Sequence, residues 1–287
     1  MNCNLCGSNR QVILFRRASP NTRTRQEFTL VQCMECGLKY IKESRSQEEA
    51  KLFGVEFFSG GENAVWNYNY SDYCRHEANH MRVANERLDK IESLSHVGTI
   101  LDVGCAMGFF LREAERRGWR GYGVDVSEHA CQYAKNVMGL NVEAVELKDA
   151  GFQGEFFDVI TMWSVIEYMK DPLTNLLEAF RTLKNNGLLI IETPDVDSVR
   201  YRLFPGDWSW FAPPLRLYYF SKRTLAMMLR RAGFEPVGMN TRGEILQGTV
   251  LERLLGRRLT GYLSSAGNAL NLGHIIIIYA RKLSMRH

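Results

Sequence analysis

The stretch Leu101-Asp102-Val103-Gly104-Cys105-Ala106-Met107-Gly108 decides the fold of this chain of 287 residues. Its first residues belong to an apolar, β-branched run that predicts a buried parallel strand, and the glycines then close a tight turn. A helix over 109–117 and a second strand over 121–125 follow, so that Asp125 ends the second strand. A carboxylate in this place can accept hydrogen bonds from both hydroxyls of a ribose. The pattern therefore predicts a doubly wound α/β sheet that binds a nucleotide.

The spacing of the glycine turn separates two classes of nucleotide site. The turn reads Gly-Cys-Ala-Met-Gly and lacks the G-x-G-x-x-G pattern of dinucleotide sites, so pyrophosphate binding is not supported. Asp102–Gly108 instead resembles the first motif of the class I S-adenosylmethionine (SAM)-dependent methyltransferases, acid-x-Gly-x-Gly-x-Gly, with Ala106 in place of the middle glycine. The resemblance covers about residues 65 to 240. It implies the family's seven-stranded Rossmann-like sheet with its last strand antiparallel, and SAM as the cofactor.

The same resemblance implies which residues contact SAM. Asp125 would bind the ribose, and Glu146 and Leu147, after a third strand over 141–145, would contact the adenine. Tyrosines of the helical segment before the first strand often cover the methionine end in this family, but here they could equally be core aromatics. The expected cofactor contacts are Tyr70, Tyr73, Asp102, Gly104, Cys105, Ala106, Met107, Gly108, Asp125, Val126, Glu146, Leu147, Trp163 and Ser164.

Two further motifs indicate candidate catalytic residues. The stretch after the fourth strand resembles the family's fourth motif, in which a Glu-His pair stands where Glu167-Tyr168 stands here. A later stretch resembles the Pro-x-His-Leu-x-x-Phe-Ser pattern of one small-molecule branch, with Arg216 in the place of the histidine. A phenol with a pKa of about 10 is a poor base unless a cation stabilises the phenolate. We therefore take Glu167, Tyr168 and Arg216 as catalytic candidates. The alternative is that Tyr168 only shapes the pocket while Glu167 packs under the strand end.

Four of the seven cysteines form two matched pairs near the N-terminus. Cys3-x-x-Cys6 and Cys33-x-x-Cys36 are two knuckles separated by 26 residues, and four thiolates complete a closed tetrahedral site. A closed site predicts a structural zinc ion with no catalytic part. The alternatives are a metal-free pair of turns and a redox dithiol. Paired cysteines in an odd total favour metal binding in a reducing compartment over disulfides.

These motifs divide the chain into three parts. We expect a zinc-ribbon-like module over 1–45, a linker and cofactor-covering helical segment over 46–97, and the methyltransferase domain over 98–287. An aromatic insertion at about 194–220, after a fifth strand over 188–193, is well placed to form a wall of the substrate pocket. A helix near 249–259 carries three arginines, for which we expect a solvated face.

Composition restricts the partners of the protein. Its hydrophobic content of 45%, charged content of 24% and net charge of +4 are those of an ordinary soluble globular protein. So weak a net charge argues against nucleic acid as a partner. The polar N-terminus does not resemble a signal peptide, and the apolar run 274–280 is far too short to span a bilayer. We therefore expect a cytoplasmic enzyme without a membrane partner.

The resulting prediction is a SAM-dependent methyltransferase that acts on an oxygen or carbon of a small molecule, such as a sugar or another biosynthetic intermediate. One alternative is an RNA methyltransferase whose zinc ribbon grips the nucleic acid. The other is a catalytically silent SAM-binding protein, since histidine is absent at both 168 and 216. Neither the acceptor nor the oligomeric state follows from the residues.

Overall fold

The computed structural model describes residues 2–18, 26–43, 73–203, 211–243 and 250–283, with only the backbone described over 250–259. Several expectations fall elsewhere in the chain. The predicted cofactor contact Tyr70 and the greater part of the linker segment lie outside the described residues, and so do the side chains of the three arginines in the basic helix.

Strands and helices alternate from residue 99 onward, as the sequence predicts. The strands are β1 (Gln11–Ala18), β2 (Glu27–Cys33), β3 (Lys39–Ile41), β4 (Thr99–Val103), β5 (Arg120–Val124), β6 (Val142–Glu143), β7 (Phe157–Trp163), β8 (Leu183–Pro194), β9 (Tyr218–Tyr219), β10 (Phe234–Arg242) and β11 (Ile275–Lys282). The helices are α1 (Glu77–Glu92), α2 (Phe109–Arg116), α3 (Glu128–Asn136), α4 (Pro172–Thr182), α5 (Val199–Leu203), α6 (Lys222–Arg231) and α7 (Val250–Ala269).

Seven of these strands form one mixed sheet in the order β10-β11-β8-β7-β4-β5-β6. Strand β11 runs antiparallel to both of its neighbours, and the remaining pairs are parallel. The prediction of a doubly wound sheet with an antiparallel last strand is thereby confirmed. The strand order reverses between β4 and β7, and ligands of such sheets bind in the crevice outside the carboxyl ends of the strands at that point.

Strands β6 and β8 differ in length from their predicted bounds. The third strand of the domain, β6, is limited to Val142–Glu143, shorter than the predicted 141–145. Strand β8 begins at Leu183 and not at Leu188, because the chain bulges ahead of Leu188 and keeps its pairing with β7 on both sides of the bulge. Leu183 lies opposite Phe157, and Leu188 lies opposite Val159. Four residues of β8 therefore lie between two paired positions that only one residue separates on β7.

The N-terminal strands form a second, smaller sheet in the order β1-β2-β3-β9. Its last strand comes from the region predicted as an insertion, because Tyr218 and Tyr219 pair antiparallel with Tyr40 and Lys39. The described residues 2–43, which we call the ribbon, thus share a sheet with the segment after β8. Apolar ribbon residues such as Leu38 also belong to the same buried cluster as Leu189.

The large sheet has a packed layer on each face. Successive side chains of a strand point to opposite faces of the sheet. Leu188 and Ile190 belong to the apolar cluster that contains α1 and α2. Leu189 and Ile191 belong to the cluster on the other face, with the ribbon, α4 and α6. Along the described part of the chain, no helix combines the length and the hydrophobicity needed to cross a membrane.

Candidate functional site

The turn after β4 lies at the carboxyl end of the sheet and contains two glycines with left-handed backbone. Gly104 has a φ of +74°, and a Cβ there would lie 2.0 Å from Val165 Cγ2. Gly108 has a φ of +86°, and a Cβ there would lie 2.3 Å from Leu140 Cδ1. Only glycine fits both positions, because each combines left-handed backbone with a neighbour that fills the Cβ space. Between them Ala106 also has a positive φ, of 48°.

Asp125 faces this turn from the end of β5. Its Oδ2 accepts a hydrogen bond of 2.9 Å from the amide of Ala106, and its Oδ1 accepts one of 2.8 Å from the amide of Ser127. Burial raises the pKa of Asp125, and these amide donors oppose the shift. A carboxylate can accept about four hydrogen bonds, so Asp125 keeps acceptor capacity for hydroxyl groups of a ligand. The exposed side chain of Val126 lies next to it in the chain and offers an apolar surface.

Three predicted cofactor contacts have side chains that are buried below the turn. Asp102 is 2% exposed, accepts a 2.7 Å hydrogen bond from Thr161 Oγ1, and has a pKa raised by burial to about 7. The side chains of Cys105 and Met107 each pack into a buried apolar cluster. These three side chains therefore hold the shape of the turn. The residues that carry them can contact a ligand only through their backbone atoms.

The remaining predicted contacts lie around the same edge. Tyr73 stacks on the His80 ring with 4.1 Å between centroids and contacts Phe109, the first residue of α2. Leu147 is buried, and Glu146 before it lies 3.7 Å from the Lys148 ammonium in an ion pair open to solvent.

A buried ionic cluster that sequence reasoning missed surrounds Trp163 and Ser164. Glu192, 2% exposed, places its Oε1 3.0 Å from Arg87 and 2.6 Å from Arg242, and Ser164 Oγ lies 3.5 Å from the same oxygen. The Arg87 guanidinium also lies over the Trp163 ring, 4.0 Å from its centroid. Burial alone would raise the pKa of Glu192, but the two arginines hold it below its ordinary value.

The sequence did contain a signal for this cluster. Arg87 lies on the buried face of α1 together with Ala84, Leu88 and Ile91, where a cation is unexpected. Glu192 similarly interrupts the apolar strand β8. A charged side chain inside a buried stripe needs a partner, so each of the two residues predicts that one exists.

The three catalytic candidates lie together, beside the ends of β7 and β8. Glu167 Oε1 is 3.9 Å from Arg216 Nε, and both side chains are buried. The Glu167 Oε2 atom accepts a 2.9 Å hydrogen bond from Thr193 Oγ1. Burial raises the pKa of Glu167 to about 7, against the opposing charge of Arg216. The Arg216 guanidinium carbon also lies 5.2 Å from the centroid of the Tyr168 ring, over its face.

The four N-terminal cysteines converge on one point. Cys3 Sγ lies 3.5 Å from Cys36 Sγ, Cys6 Sγ lies 3.4 Å from Cys33 Sγ, and all four sulfur atoms are within 4.8 Å of one another. Four thiolates at about 2.3 Å from a tetrahedral zinc ion would stand about 3.8 Å apart. The donor set and its spacing therefore fit one zinc ion.

Comparison with known proteins gives a consistent set of similarities. A family model described as "Methyltransferase domain" matches residues 73–238. The chain is 30% identical over 160 residues to a ubiquinone biosynthesis O-methyltransferase of Cereibacter sphaeroides, covering 48% of this chain and 60% of that protein. The protein of the same name from Ruegeria pomeroyi is 31% identical over the same fractions. The chain thus spans about 60% of the length of these curated relatives.

One solved structure illustrates the similarity of fold. A SAM-dependent methyltransferase from Thermotoga maritima matches with a TM-score of 0.53 at 21% identity, over 73% of this chain and 94% of that one. At this level of identity the match supports the architecture described above.

Proposed function

Because this chain belongs to the methyltransferase domain family, we propose that it transfers the methyl group of SAM to an oxygen atom of a small-molecule acceptor. The observation that carries the proposal is the turn with Gly104 and Gly108, closed against Asp125 across the ends of β4 and β5. The relatives named as O-methyltransferases support oxygen as the acceptor atom over carbon, and they do not favour the RNA-modifying or the silent alternative.

The residues present fit a zwitterionic cofactor at this edge. Asp125 would accept the ribose hydroxyls, and Val126 would lie against the adenine. Within the described chain, buried Arg87 Nε, Arg242 Nε, Trp163 Nε1 and Glu192 Oε2 have no hydrogen-bond partner. Three donors and one acceptor complement the carboxylate and the ammonium of an amino acid, so this cluster is where we place the methionine end of SAM.

The chemistry demands little of the protein beyond alignment and proton removal. When bound, SAM supplies a methyl group on a sulfonium whose departing thioether is neutral, so no general acid is required. Holding the acceptor oxygen in line with the methyl group can contribute several kcal/mol, on the order of 7–11 in the best cases. A hydroxyl acceptor must also lose its proton, and we assign that step to the cluster of Glu167, Tyr168 and Arg216.

Among these three, Glu167 is the first choice for the base. Its pKa of about 7 leaves a substantial carboxylate fraction at neutral pH together with enough basicity to accept a proton. Arg216 would hold the charge of that carboxylate, and the Tyr168 ring would form the pocket wall beside it.

The proposal is tested by following labelled methyl groups. Purified protein should bind SAM in calorimetry, and with methyl-labelled SAM it should label hydroxylated small molecules, for which a catechol and a free sugar are the first probes. Transfer RNA in a parallel reaction should remain unlabelled. Absence of SAM binding would reject the function outright, and label in the RNA alone would reject the acceptor class.

The cysteine cluster leads to a separate prediction about metal content. We propose that Cys3, Cys6, Cys33 and Cys36 hold one structural zinc ion. Elemental analysis of the protein should find about one zinc per chain, and Cys33→Ser should lose it, because three thiolates bind far more weakly than four. Cys131→Ser, which alters a buried thiol of α3 outside the cluster, should keep its zinc. Zinc retained in the Cys33→Ser variant would place the site elsewhere.

A further inference from the structure

The first cysteine knuckle holds the start of α4 through one side chain. Asn4, between Cys3 and Cys6, donates from Nδ2 to Asp171 Oδ1 at 2.8 Å and accepts from the amide of Leu173 at 3.0 Å. Asp171 is the residue that caps α4, with its own carboxylate accepting from the amide of Thr174. Three residues before that cap lies Tyr168. The Asn4 side chain therefore bridges the Asp171 carboxylate and the Leu173 amide at the start of α4.

A second connection runs through the backbone of β3. The amide of Ile41 donates to the carbonyl of Leu217 at 2.8 Å, and the amide of Leu217 donates to the carbonyl of Glu167, also at 2.8 Å. Leu217 follows Arg216 directly. The Tyr218 hydroxyl adds a 3.1 Å hydrogen bond to the carbonyl of Lys170. The ribbon thus joins both chain segments that carry Glu167, Tyr168 and Arg216, although about 50 residues separate the two segments in sequence.

The glycine turn and Asp125, which we call the SAM half of the site, are held by different partners. The amides of Gly104 and Cys105 donate to the carbonyl of Val124, and the amide of Ala106 donates to Asp125. These are contacts between β4, β5 and their own loops. The two halves of the proposed site are therefore fixed by separate sets of hydrogen bonds, one of which runs through the ribbon.

From this arrangement we propose that the ribbon is a positioning element for the acceptor half of the site, with Asn4 as a positioning residue. Metal at the four cysteines would fix the knuckle that carries Asn4 and the hairpin that leads to β3. Its loss would displace Glu167, Tyr168 and Arg216 and would leave the SAM half in place. The roles given to the two halves rest on the proposed function. The connection between the ribbon and the two segments that carry Glu167, Tyr168 and Arg216 can be measured without any substrate.

The decisive experiment is hydrogen–deuterium exchange on the full chain, with zinc bound and after chelation. Exchange should rise in peptides that cover 166–173 and 216–220 and stay the same in peptides that cover 101–108 and 123–127. Equal exchange at 166–173 and 216–220 in both states would overturn the proposal, as would a rise of the same size around the glycine turn. A protein that binds no metal would also overturn it, since chelation would then change nothing.

The variant Asn4→Ala tests the side chain itself, and its matched control is Asn185→Ala. Asn185, near the amino end of β8, makes an exposed 3.0 Å hydrogen bond to Glu155. With an acceptor found in the labelling assay, we expect Asn4→Ala to lower kcat by about 10- to 100-fold, the cost of misplacing reacting groups by about 1 Å. The KM for SAM should change less than about twofold, since the SAM half is fixed separately.

The outcomes for this variant separate the two proposals. A KM for SAM that rises in step with the fall in kcat would indicate a general loss of structure and would contradict the positioning role, as would unchanged kcat. Failure of the chain to bind SAM at all would reject the proposed function, whereas the exchange experiment would still decide the connection between the ribbon and the two segments.

Discussion

The variant Glu167→Gln should lower acceptor turnover at saturating SAM by about 10²- to 10⁴-fold, the usual contribution of a positioned base. The amide keeps the size of the side chain and can still accept from Thr193, so packing is preserved while the proton acceptor is lost. The control is Glu235→Gln, an exposed carboxylate of β10 that pairs with Arg230 at 3.4 Å. Single-turnover rates of the wild-type protein and of both variants would measure the effect. A loss of only a few-fold in Glu167→Gln would show that another group accepts the proton.

The pH dependence gives the same prediction an independent check. The base acts as the carboxylate, so turnover should rise with pH through about 7, where Glu167 loses its proton. Burial raises this pKa and Arg216 opposes the rise, so Arg216→Ala should move the inflection to higher pH. Glu167→Gln should show no inflection there. An unchanged inflection in the Gln variant would identify a different titrating group.

Tyr168 and Arg216 can be separated from Glu167 by the same assay. If a phenolate stabilised by Arg216 were the base, Tyr168→Phe and Arg216→Ala would both lose about 10²-fold or more. The Arg216 guanidinium lies over the face of the Tyr168 ring, while its Nε lies near Glu167, so we expect the smaller loss in Tyr168→Phe. A few-fold loss in both would exclude them as base and activator.

The variant Asp125→Ala should weaken SAM binding by about 30- to 150-fold, because a carboxylate that accepts two ribose hydrogen bonds contributes on the order of 2–3 kcal/mol. The same carboxylate also accepts from the amides of Ala106 and Ser127, so its removal loosens the turn as well. Calorimetric titration with SAM measures the loss of affinity. Asp89→Ala, which removes an exposed carboxylate of α1, is the control and should bind SAM normally. Unchanged affinity in Asp125→Ala would reject the ribose assignment.

Because the turn depends on Asp125, the stability of that variant must be measured beside its affinity. A melting curve taken without SAM shows whether the folded state survives at the titration temperature. Asp125→Asn keeps the shape and replaces one acceptor oxygen by a donor, so we expect its affinity to fall between those of wild type and Asp125→Ala. An affinity of Asp125→Asn equal to that of wild type would contradict an acceptor role for the carboxylate.

Local chemistry was enough to predict β4, the glycine turn after it, β5 and the acid that follows β5. The run before Gly104 is apolar and β-branched, the turn contains the residues that tolerate a positive φ, and Asp125 lies at the next strand end. Each of these features depends on near neighbours in the chain, which periodicity and residue type report directly. Each cysteine pair is likewise a local pattern, and the structure brings the two pairs to one point.

Tertiary structure alone decided the contacts between distant segments. Glu192 meets Arg87 across 105 positions and Arg242 across 50, and nothing in the sequence around any of them names its partner. The two residues of β9 are too few to show an alternating pattern, yet they join the ribbon to the segment of Arg216. Periodicity determines which face of an element is buried, whereas the order of the strands determines which buried faces and ends meet. The sequence therefore determined the glycine turn and the acid opposite it, and the fold decided how Glu167, Tyr168 and Arg216 are brought together and what holds them in place.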